Sequence, residues 1–297
     1  MTGQDKFSFG WWNTSLSPRG RESTPESVEV ATRLVEVLTK DLQLDFIAFG
    51  EVSPAERKAF SDVLGNNKYR MLDGFQPAGR SRFSTLFVYN ESSVTVSSPV
   101  SIVAEKGGRT LRVAQRIDAT IYGFKKPFHI FVSHWPSRLH LQESAPERYL
   151  LGVRLRDAVD EIYKLYNEVP NIILIGDYND EPFSTPLTEA LLATRDRLLA
   201  MRRKHLLYNP FWEFLGAPCE TADKGSLRGS YFHKQGDVTQ WRLFDQVMVS
   251  SSLLSGHGWI LDDDFTQALD LPGYTPMLSD ANEIFDHAPI IGAVRRV

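Results

Sequence analysis

The chain of 297 residues has little of several things that classify a protein quickly. Its one cysteine, Cys219, excludes an internal disulfide bond and a zinc site built from several cysteines. No apolar run approaches the ~20 residues that a membrane-spanning helix needs, and no signal-peptide pattern of basic, apolar and small residues opens the sequence. We therefore expect a cytoplasmic protein without a membrane span.

Neither sign of charge dominates the chain. The net charge is −4, so no overall field favours a polyanionic partner. One basic cluster lies between Arg195 and Lys204, and a second consists of Lys68, Arg70, Arg80 and Arg82. The simpler explanation of each cluster is a solvated helix face or loop. Charge alone therefore does not choose the substrate.

The order of apolar and polar residues predicts alternating strands and helices. Helical spacing predicts helices over 26–40, 54–64 and 147–166, and a helical pair between 185 and 207. Runs of β-branched and aromatic residues predict strands at 83–89, 94–103, 111–121, 127–132, 229–232, 241–249 and 288–294. Long strand runs with a few helices between them favour an α/β fold of two packed sheets flanked by helices.

Polar residues stand next to apolar runs at six places along the chain. Four of the runs, at 7–12, 45–50, 128–133 and 171–176, end directly before a polar side chain. Because function concentrates where a rigid sheet meets its loops, this pattern indicates a metal-dependent hydrolytic site at a sheet edge. If the motifs converge, residues 1–297 form a single domain. The polar residues are Asn13, Glu51, His134, Asp177, Asn179, Asp245, Asp286 and His287.

The motif from Asp177 to Asn179 has the most informative context. It follows a continuous apolar run typical of a strand buried on both faces, and Gly176 allows a close approach of backbone or ligand. Residues 177 and 179 of an extended strand point to the same side, so a carboxylate and an amide can face one bound group. The alternative is a turn that closes the strand, where Asp and Asn are favoured anyway.

The other acidic and imidazole residues have two explanations each. Glu51 suits magnesium, which prefers oxygen ligands, but a solvated strand end explains it as well. His287 suits a catalytic base whose carboxylate partner fixes the tautomer, and that partner is either the adjacent Asp286 or a distant residue such as Asp245.

Three further residues are candidates for phosphate or metal contacts. His134 can donate a hydrogen bond to a phosphate oxygen, although a histidine at a strand end is more often structural. Arg116 lies within a predicted strand, where it faces either solvent or an anion. Asn13 either orients acidic groups around a metal or starts a turn.

Taken in order, these motifs resemble those of the endonuclease/exonuclease/phosphatase superfamily, which has the deoxyribonuclease-I-like fold. The resemblance spans the whole chain, and its most specific parts are Gly176 to Asn179 and Asp286 to Pro289. It implies a four-layer αββα sandwich, a Mg²⁺ or Mn²⁺ cofactor, and hydrolysis of a phosphoester by activated water. Two positions depart from the family pattern: Gly50 stands where glutamine is common, and Phe285 where serine is common.

The resemblance also implies roles for individual residues. Glu51 would be the principal metal ligand, with Asn13 beside it and Asp286 near the metal. Asp177 would align or deprotonate the attacking water, and Asn179 would help to hold the phosphate. His287, oriented by Asp245, would be the general base or a phosphate contact. The remaining phosphate contacts would be His134 and Arg116.

From the motifs together we predict a metal-dependent phosphodiesterase, and specifically a nuclease. A nucleic-acid backbone could be followed by Arg80, Arg82, Arg138 and the stretch from Arg195 to Lys204, whereas most tryptophans are expected to pack in the core. The alternative enzyme is a phosphatase or phosphodiesterase that acts on a phospholipid or a small phosphorylated molecule. An inactive binding scaffold is a third possibility, but the retention of every acid and histidine argues against it. The choice of DNA or RNA, the cleavage mode and the oligomeric state stay open.

Overall fold

Two large β-sheets with helices on their outer faces make up the fold. The structure, a computed structural model, describes residues 4–17, 23–65, 68–79, 81–216, 227–236, 238–256 and 258–297, so Arg80 and Cys219 lie outside the described residues. The helices are α1 (Pro25–Glu36), α2 (Pro54–Leu64), α3 (Pro146–Tyr163), α4 (Arg197–Arg202) and α5 (Thr275–Leu278). The strands are β1 (Lys6–Asn13), β2 (Phe46–Gly50), β3 (Tyr69–Asp73), β4 (Gln76–Ala78), β5 (Ser81–Phe83), β6 (Leu86–Asn90), β7 (Val94–Val96), β8 (Val100–Lys106), β9 (Arg109–Ile121), β10 (Phe128–His134), β11 (Asn171–Asp177), β12 (Ala193–Thr194), β13 (Leu207–Tyr208), β14 (Tyr231–Phe232), β15 (Trp241–Arg242), β16 (Asp245–Ser250), β17 (Trp259–Leu261), β18 (Gln267–Ala268) and β19 (Ile290–Arg296).

Each sheet is mixed and has a parallel pair of strands at its centre. The first sheet has the order β17-β19-β1-β2-β6-β3, and the second has the order β12-β13-β16-β11-β10-β9-β7. β1 is parallel to β2, and β10 is parallel to β11 in a register that pairs His134 with Asp177. Because parallel strands end at the same edge, the polar residues after each pair lie next to one another.

Alternation along the strands builds three apolar cores. In β1, Phe7, Phe9 and Trp11 pack between the sheets, whereas Trp12 faces the outer side. That outer side of the first sheet is covered by α1 and α2, and the outer side of the second sheet is covered by α3. Burial of both faces explains why these strands are continuous apolar runs. The predicted α/β sandwich of two packed mixed sheets flanked by helices is confirmed.

The helix starts also follow from the sequence. α1 begins at Pro25 after the N-cap Thr24, whose hydroxyl accepts from Ser27 N, and α2 begins at Pro54 after Ser53 in a capping box with Glu56. Side chains of this kind satisfy amide groups that have no partner within the helix. No helix formed by the described residues is long and apolar enough to cross a bilayer.

Several predicted elements differ in extent. The strand predicted at 94–103 is two strands, β7 and β8, because Pro99 lies between them and cannot donate a ladder hydrogen bond. The helical pair predicted between 185 and 207 is a π-helical turn, Pro186–Ala190, and the short helix α4. The strand predicted at 241–249 is divided into β15 and β16.

Candidate active site

The polar residues of the two sheets meet at one edge through sharp backbone turns. Glu51 and Asn179 turn away from their strands with φ of 56° and 50°, left-handed values that cost a residue other than glycine about 1 kcal/mol or more. Gly176 has φ of 146°, and a Cβ atom there would lie 1.9 Å from the carbonyl oxygen of Ser133. Only glycine allows β11 to lie this close to β10 just before Asp177.

Asp245 and His287 form a buried ion pair across the two sheets. Asp245 Oδ2 lies 2.8 Å from His287 Nδ1, and Asp245 Oδ1 accepts a hydrogen bond of 2.7 Å from Trp11 Nε1. Burial lowers the pKa of His287, but the charges of Asp245 and Asp177 and the hydrogen bond to Asp245 raise that pKa to about 10. His287 is therefore an imidazolium at neutral pH, and its Nε2 is free of Asp245 and faces the site.

Asp177 lies beside this pair and is held by Asn179. Asn179 donates through its backbone N to Asp177 Oδ1 and through Nδ2 to Asp177 Oδ2, both at 2.8 Å. Asp177 Oδ2 lies 4.0 Å from His287 Nε2 and 3.9 Å from His134 Nε2. Burial, with the nearby charge of Asp245, raises the pKa of Asp177 to about 7. Asp177 can therefore exchange a proton near neutral pH.

His134 is uncharged and lies between two of the acidic groups of the site, Glu51 and Asp177. Its Nε2 lies 3.7 Å from Glu51 Oε1, in addition to its contact with Asp177. Burial lowers the pKa of His134 well below its usual value, and the charges of Arg112 and His287 add to this effect. The neutral ring can donate one hydrogen bond to an anion without a charge of its own.

Glu51, Asn13 and Asp286 line the side of the site that belongs to the first sheet. Asn13 Nδ2 lies 3.5 Å from both Glu51 Oε1 and His287 Nε2. Ser15 Oγ donates to Asp286 Oδ1 at 2.5 Å. Burial raises the pKa of Glu51, and the neighbouring charge of Asp286 raises it further. These carboxylates therefore repel each other unless a cation lies near them.

A metal ion fits this donor set. Ligand atoms of Asp177, Asp245 and His287 lie within 4.8 Å of one another and could hold a metal ion. Both oxygens of Asp245 already accept hydrogen bonds, and the imidazolium of His287 offers no lone pair. Asp245 and His287 therefore pair with each other and are poorly suited to bind the metal. Glu51 and Asp286 make looser contacts with the amide and imidazole groups of the site, since Glu51 Oε1 lies 3.5 Å from Asn13 Nδ2 and Asp286 Oδ1 lies 4.0 Å from His287 Nε2. Carboxylate oxygens are the ligands that hard divalent ions prefer.

Comparison with known proteins identifies the family of the chain. A sequence model described as the Endonuclease/Exonuclease/phosphatase family matches residues 37–261. The chain belongs to this family. None of the curated proteins compared with the chain matches it.

Solved structures share the family fold at low sequence identity. The human Nocturnin catalytic domain with bound sulfate anion superimposes with a TM-score of 0.61 at 15% identity, over 100% of this chain and 97% of that one. A family protein from Bacteroides thetaiotaomicron gives 0.60 at 12% identity, covering 99% and 96%. Truncated Caenorhabditis elegans TDP2 gives 0.57 at 16% identity, covering 98% of each chain. At these identities the likeness shows the deoxyribonuclease-I-like fold alone.

The departure from the family pattern at Gly50 has a steric reason. A Cβ atom on Gly50 would lie 2.6 Å from the ring of Trp11 and 3.4 Å from His134 Nδ1. Glycine before Glu51 therefore leaves room for the tryptophan that donates to Asp245. The other departure, Phe285, is buried and stacks on Trp12 with ring centroids 6.3 Å apart.

The structure does not bring Arg116 to the edge where the other residues meet. Arg116 pairs with Phe131, three residues before His134, and its Nε lies 3.4 Å from Asp118 Oδ1. Arg112 is the arginine that acts on the site, since its charge affects the pKa values of Glu51 and His134. A phosphate contact by Arg116 stays a prediction without a supporting distance.

A β-bulge decides which arginine of β9 faces the site. The register between β8 and β9 shifts at Ile102/Val103, so that Val113 and Ala114 both pack in the outer core. An extra residue at this point reverses the alternation, which places Arg112 and Arg116 on opposite faces of the sheet. The amino-acid sequence carries no direct signal for this bulge.

Arg138 lies beside the site and supports its backbone. Its Nε donates to the carbonyl oxygen of Asn179 at 2.9 Å, and its Nη2 donates to Asp180 Oδ1 at 3.3 Å. Its guanidinium lies over the ring of Phe244 at 4.7 Å. These contacts fix the Asp177–Asp180 turn, so the substrate contact assigned to Arg138 stays a prediction.

Tyr231 is a site residue that the sequence did not reveal. Its ring centroid lies 4.7 Å from that of His287 and 5.2 Å from that of Phe244. Burial raises the pKa of Tyr231, and the charges of Asp286, Asp177 and Glu51 raise it further, so the phenol stays protonated beside the acids. β14 lies within the strand predicted at 229–232, but the contact of Tyr231 with His287 arises only from the tertiary packing.

Proposed function

We propose that the protein is a divalent-metal-dependent phosphodiester hydrolase that cleaves nucleic acid through attack of an activated water. The observation that carries the proposal is the excess of acid at the shared sheet edge, where Asp177 and Asp245 are buried and Glu51 and Asp286 are partly buried. Four carboxylates, those of Glu51, Asp177, Asp245 and Asp286, surround the imidazolium of His287. A buried excess of negative charge is costly unless a cation balances it.

Glu51 and Asp286 would hold the metal ion, with Asn13 beside them. Mg²⁺ typically takes one or two protein carboxylates and keeps waters, which agrees with this small set of oxygen donors. When bound, Mg²⁺ or Mn²⁺ would polarise the phosphoryl oxygens and stabilise the charge that develops on them.

The side chains of the second sheet would carry out the proton transfers. Asp177, whose pKa of about 7 suits proton exchange, would accept a proton from water while Asn179 holds the carboxylate in place. The Nε2–H of His287 would donate to a phosphate oxygen, and the neutral His134 would donate from the opposite side. Asp245 would keep His287 charged and oriented.

The comparisons support phosphate-ester chemistry for the family to which the chain belongs. The family is named for endonucleases, exonucleases and phosphatases, and the human Nocturnin catalytic domain binds sulfate, an oxyanion of phosphate-like shape. Arg112 adds positive charge beside the acids, as a substrate with a charged backbone requires.

A substrate panel with site variants tests the proposal. Purified protein with Mg²⁺ or Mn²⁺ is given single-stranded DNA, duplex DNA, RNA, bis-p-nitrophenyl phosphate and p-nitrophenyl phosphate. We expect cleavage of nucleic acid and of the diester, and a loss of at least about 100-fold for Asp177→Ala and His287→Ala.

Two surface variants serve as matched controls. Asp157→Ala on α3 and His205→Ala remove the same residue types at exposed positions and should keep full activity. Undiminished cleavage by either site variant would refute the assignment of the site. Turnover of small esters alone would favour a phosphatase or small-molecule phosphodiesterase over a nuclease.

A further inference from the structure

A surface groove of about 450 Å³ lies beside β12 and β13, at the end of the second sheet. Its walls come from the segment between the π-helical turn Pro186–Ala190 and β13, and from the 3₁₀ helix Pro210–Gly216. The volume is in the range of small-ligand sites. Its lining includes Leu192, Arg195, Leu199, Arg203, Leu206 and Trp212.

Aromatic and cationic side chains meet at this groove. The guanidinium of Arg195 lies over the ring of Trp212 at 5.2 Å, and the ring of Phe183 lies 6.3 Å from that of Trp212. Phe183, on the loop that follows Asp180, is 54% exposed. An exposed ring beside an arginine is a surface on which a nucleobase can stack.

The cations of the groove are not neutralised by neighbouring acids. Within the described part of the chain, no carboxylate forms an ion pair with Arg195, Arg202 or Arg203, whereas Arg197 is paired with Asp263. An arginine without a carboxylate partner keeps its donors for phosphate. The groove therefore combines stacking surface with free positive charge.

Buried amides connect the groove to the candidate active site. Gln246, which follows Asp245, donates to the carbonyl oxygen of Asp180 at 2.7 Å and accepts from Asn209 Nδ2 at 2.8 Å. Asn209 Oδ1 in turn accepts from Phe211 N at 3.0 Å. The helix that carries Trp212 is thus fixed to the same strand that carries the acid partner of His287.

The span between the site and Phe183, whose ring contacts Trp212 of the groove, is short. Phe183 comes six residues after Asp177, so even a fully extended chain would separate them by at most about 20 Å. A strand of nucleic acid bound at the scissile position would need only a few nucleotides to reach the groove.

We propose that this groove binds a single-stranded part of the nucleic-acid substrate, with a base stacked on Phe183 beside Trp212 and a backbone phosphate paired with Arg195. The inference rests on the proposed function. Bases of a duplex are stacked on one another and unavailable to Phe183, so the groove selects single strands.

The test is binding without turnover, measured by fluorescence anisotropy in EDTA. The probes are labelled oligothymidylate and oligouridylate of about 12 nucleotides, a length within the site sizes of single-strand binders. Phe183→Ala should weaken binding about tenfold without changing its salt dependence, because stacking releases no counterions. Arg195→Ala should lower the slope of log K against log[salt] by about 0.7, and Arg195→Lys should restore it.

Matched controls and a duplex arm complete the experiment. Tyr122→Ala and Arg33→Ala remove an exposed aromatic and an exposed arginine elsewhere and should leave binding unchanged. Binding of a blunt duplex should not depend on Phe183, and equal dependence for duplex and single strand would overturn the single-strand assignment.

The two proposals can fail separately. If bis-p-nitrophenyl phosphate is hydrolysed and Phe183→Ala binds oligonucleotides as tightly as wild type, only the proposal about the groove is overturned. If no phosphodiester is hydrolysed, the proposed function fails whatever the groove binds.

Discussion

Trp11→Phe should destabilise the protein through one buried hydrogen bond. Trp11 is 1% exposed, and its indole N–H donates to the charged Asp245 at 2.7 Å. A hydrogen bond to a charged group contributes about 1.5–3 kcal/mol, and phenylalanine would leave the carboxylate oxygen without this donor. With the packing lost from the smaller ring, we expect the free energy of unfolding to fall by about 3 kcal/mol or more.

Trp12→Phe is the matched control. Trp12 is the next residue, is also fully buried and loses the same atoms, but its N–H donates at 3.2 Å to two neutral acceptors, Tyr274 Oη and the carbonyl oxygen of His287. Neutral hydrogen bonds contribute about 0.5–1.5 kcal/mol, so Trp11→Phe should cost about 1–2 kcal/mol more than the control.

Urea denaturation followed by circular dichroism measures both losses. EDTA is included because a metal that binds only the folded state would add its own stabilisation. The decisive comparison repeats Trp11→Phe in an Asp245→Asn background, where the acceptor is neutral and the cost should fall to that of a neutral hydrogen bond. An equal cost in both backgrounds would refute the claim that Trp11 acts through the charge of Asp245.

Three further predictions concern the site. Activity should rise with pH through about 7, because Asp177, whose pKa burial raises to about 7, accepts a proton only when charged; a kcat/KM profile without this acidic limb would contradict the role. Mg²⁺ at 100 times its Kd should raise the free energy of unfolding by about 2.7 kcal/mol, measured by thermal denaturation, and Glu51→Gln should lose most of this stabilisation. If the variant is stabilised by Mg²⁺ as much as wild type, Glu51 is not a metal ligand. Gly176→Ala should not fold, because its Cβ would lie 1.9 Å from Ser133 O. Gly216→Ala, whose Cβ would lie in open space, should have a free energy of unfolding within about 0.5 kcal/mol of wild type. A soluble Gly176→Ala variant with normal stability would show that the strands can separate there.

The strand ends were predictable because two signals coincide there. β2 and β11 end at Gly50 and Asp177, where a continuous apolar run gives way to a polar side chain. Strands buried on both faces need such runs. A charged side chain is tolerated only where the strand ends, at the edge of the sheet. Short strands such as β12 and β13, with two residues each, carry no period and could not be predicted.

The partners of the site residues could not be predicted in the same way. Trp11 and Asp245 are 234 residues apart, and only the packing of one sheet on the other brings them together. The resemblance proposed Asp245 as the partner of His287, and the 2.8 Å contact between them agrees with this. Nothing in the sequence distinguished Arg112 from Arg116, because that choice depends on a bulge.

The pairing of β19 with β1 has a consequence for the timing of activity during synthesis. β19 lies inside the first sheet, between β17 and β1, and His287 enters the sheet edge just before it. On that side β1 has no neighbouring strand until β19, which ends at Arg296, has been synthesised. The candidate site, which takes Glu51 and His287 from the first sheet and Asp177 and Asp245 from the second, therefore cannot assemble before β19 has joined β1.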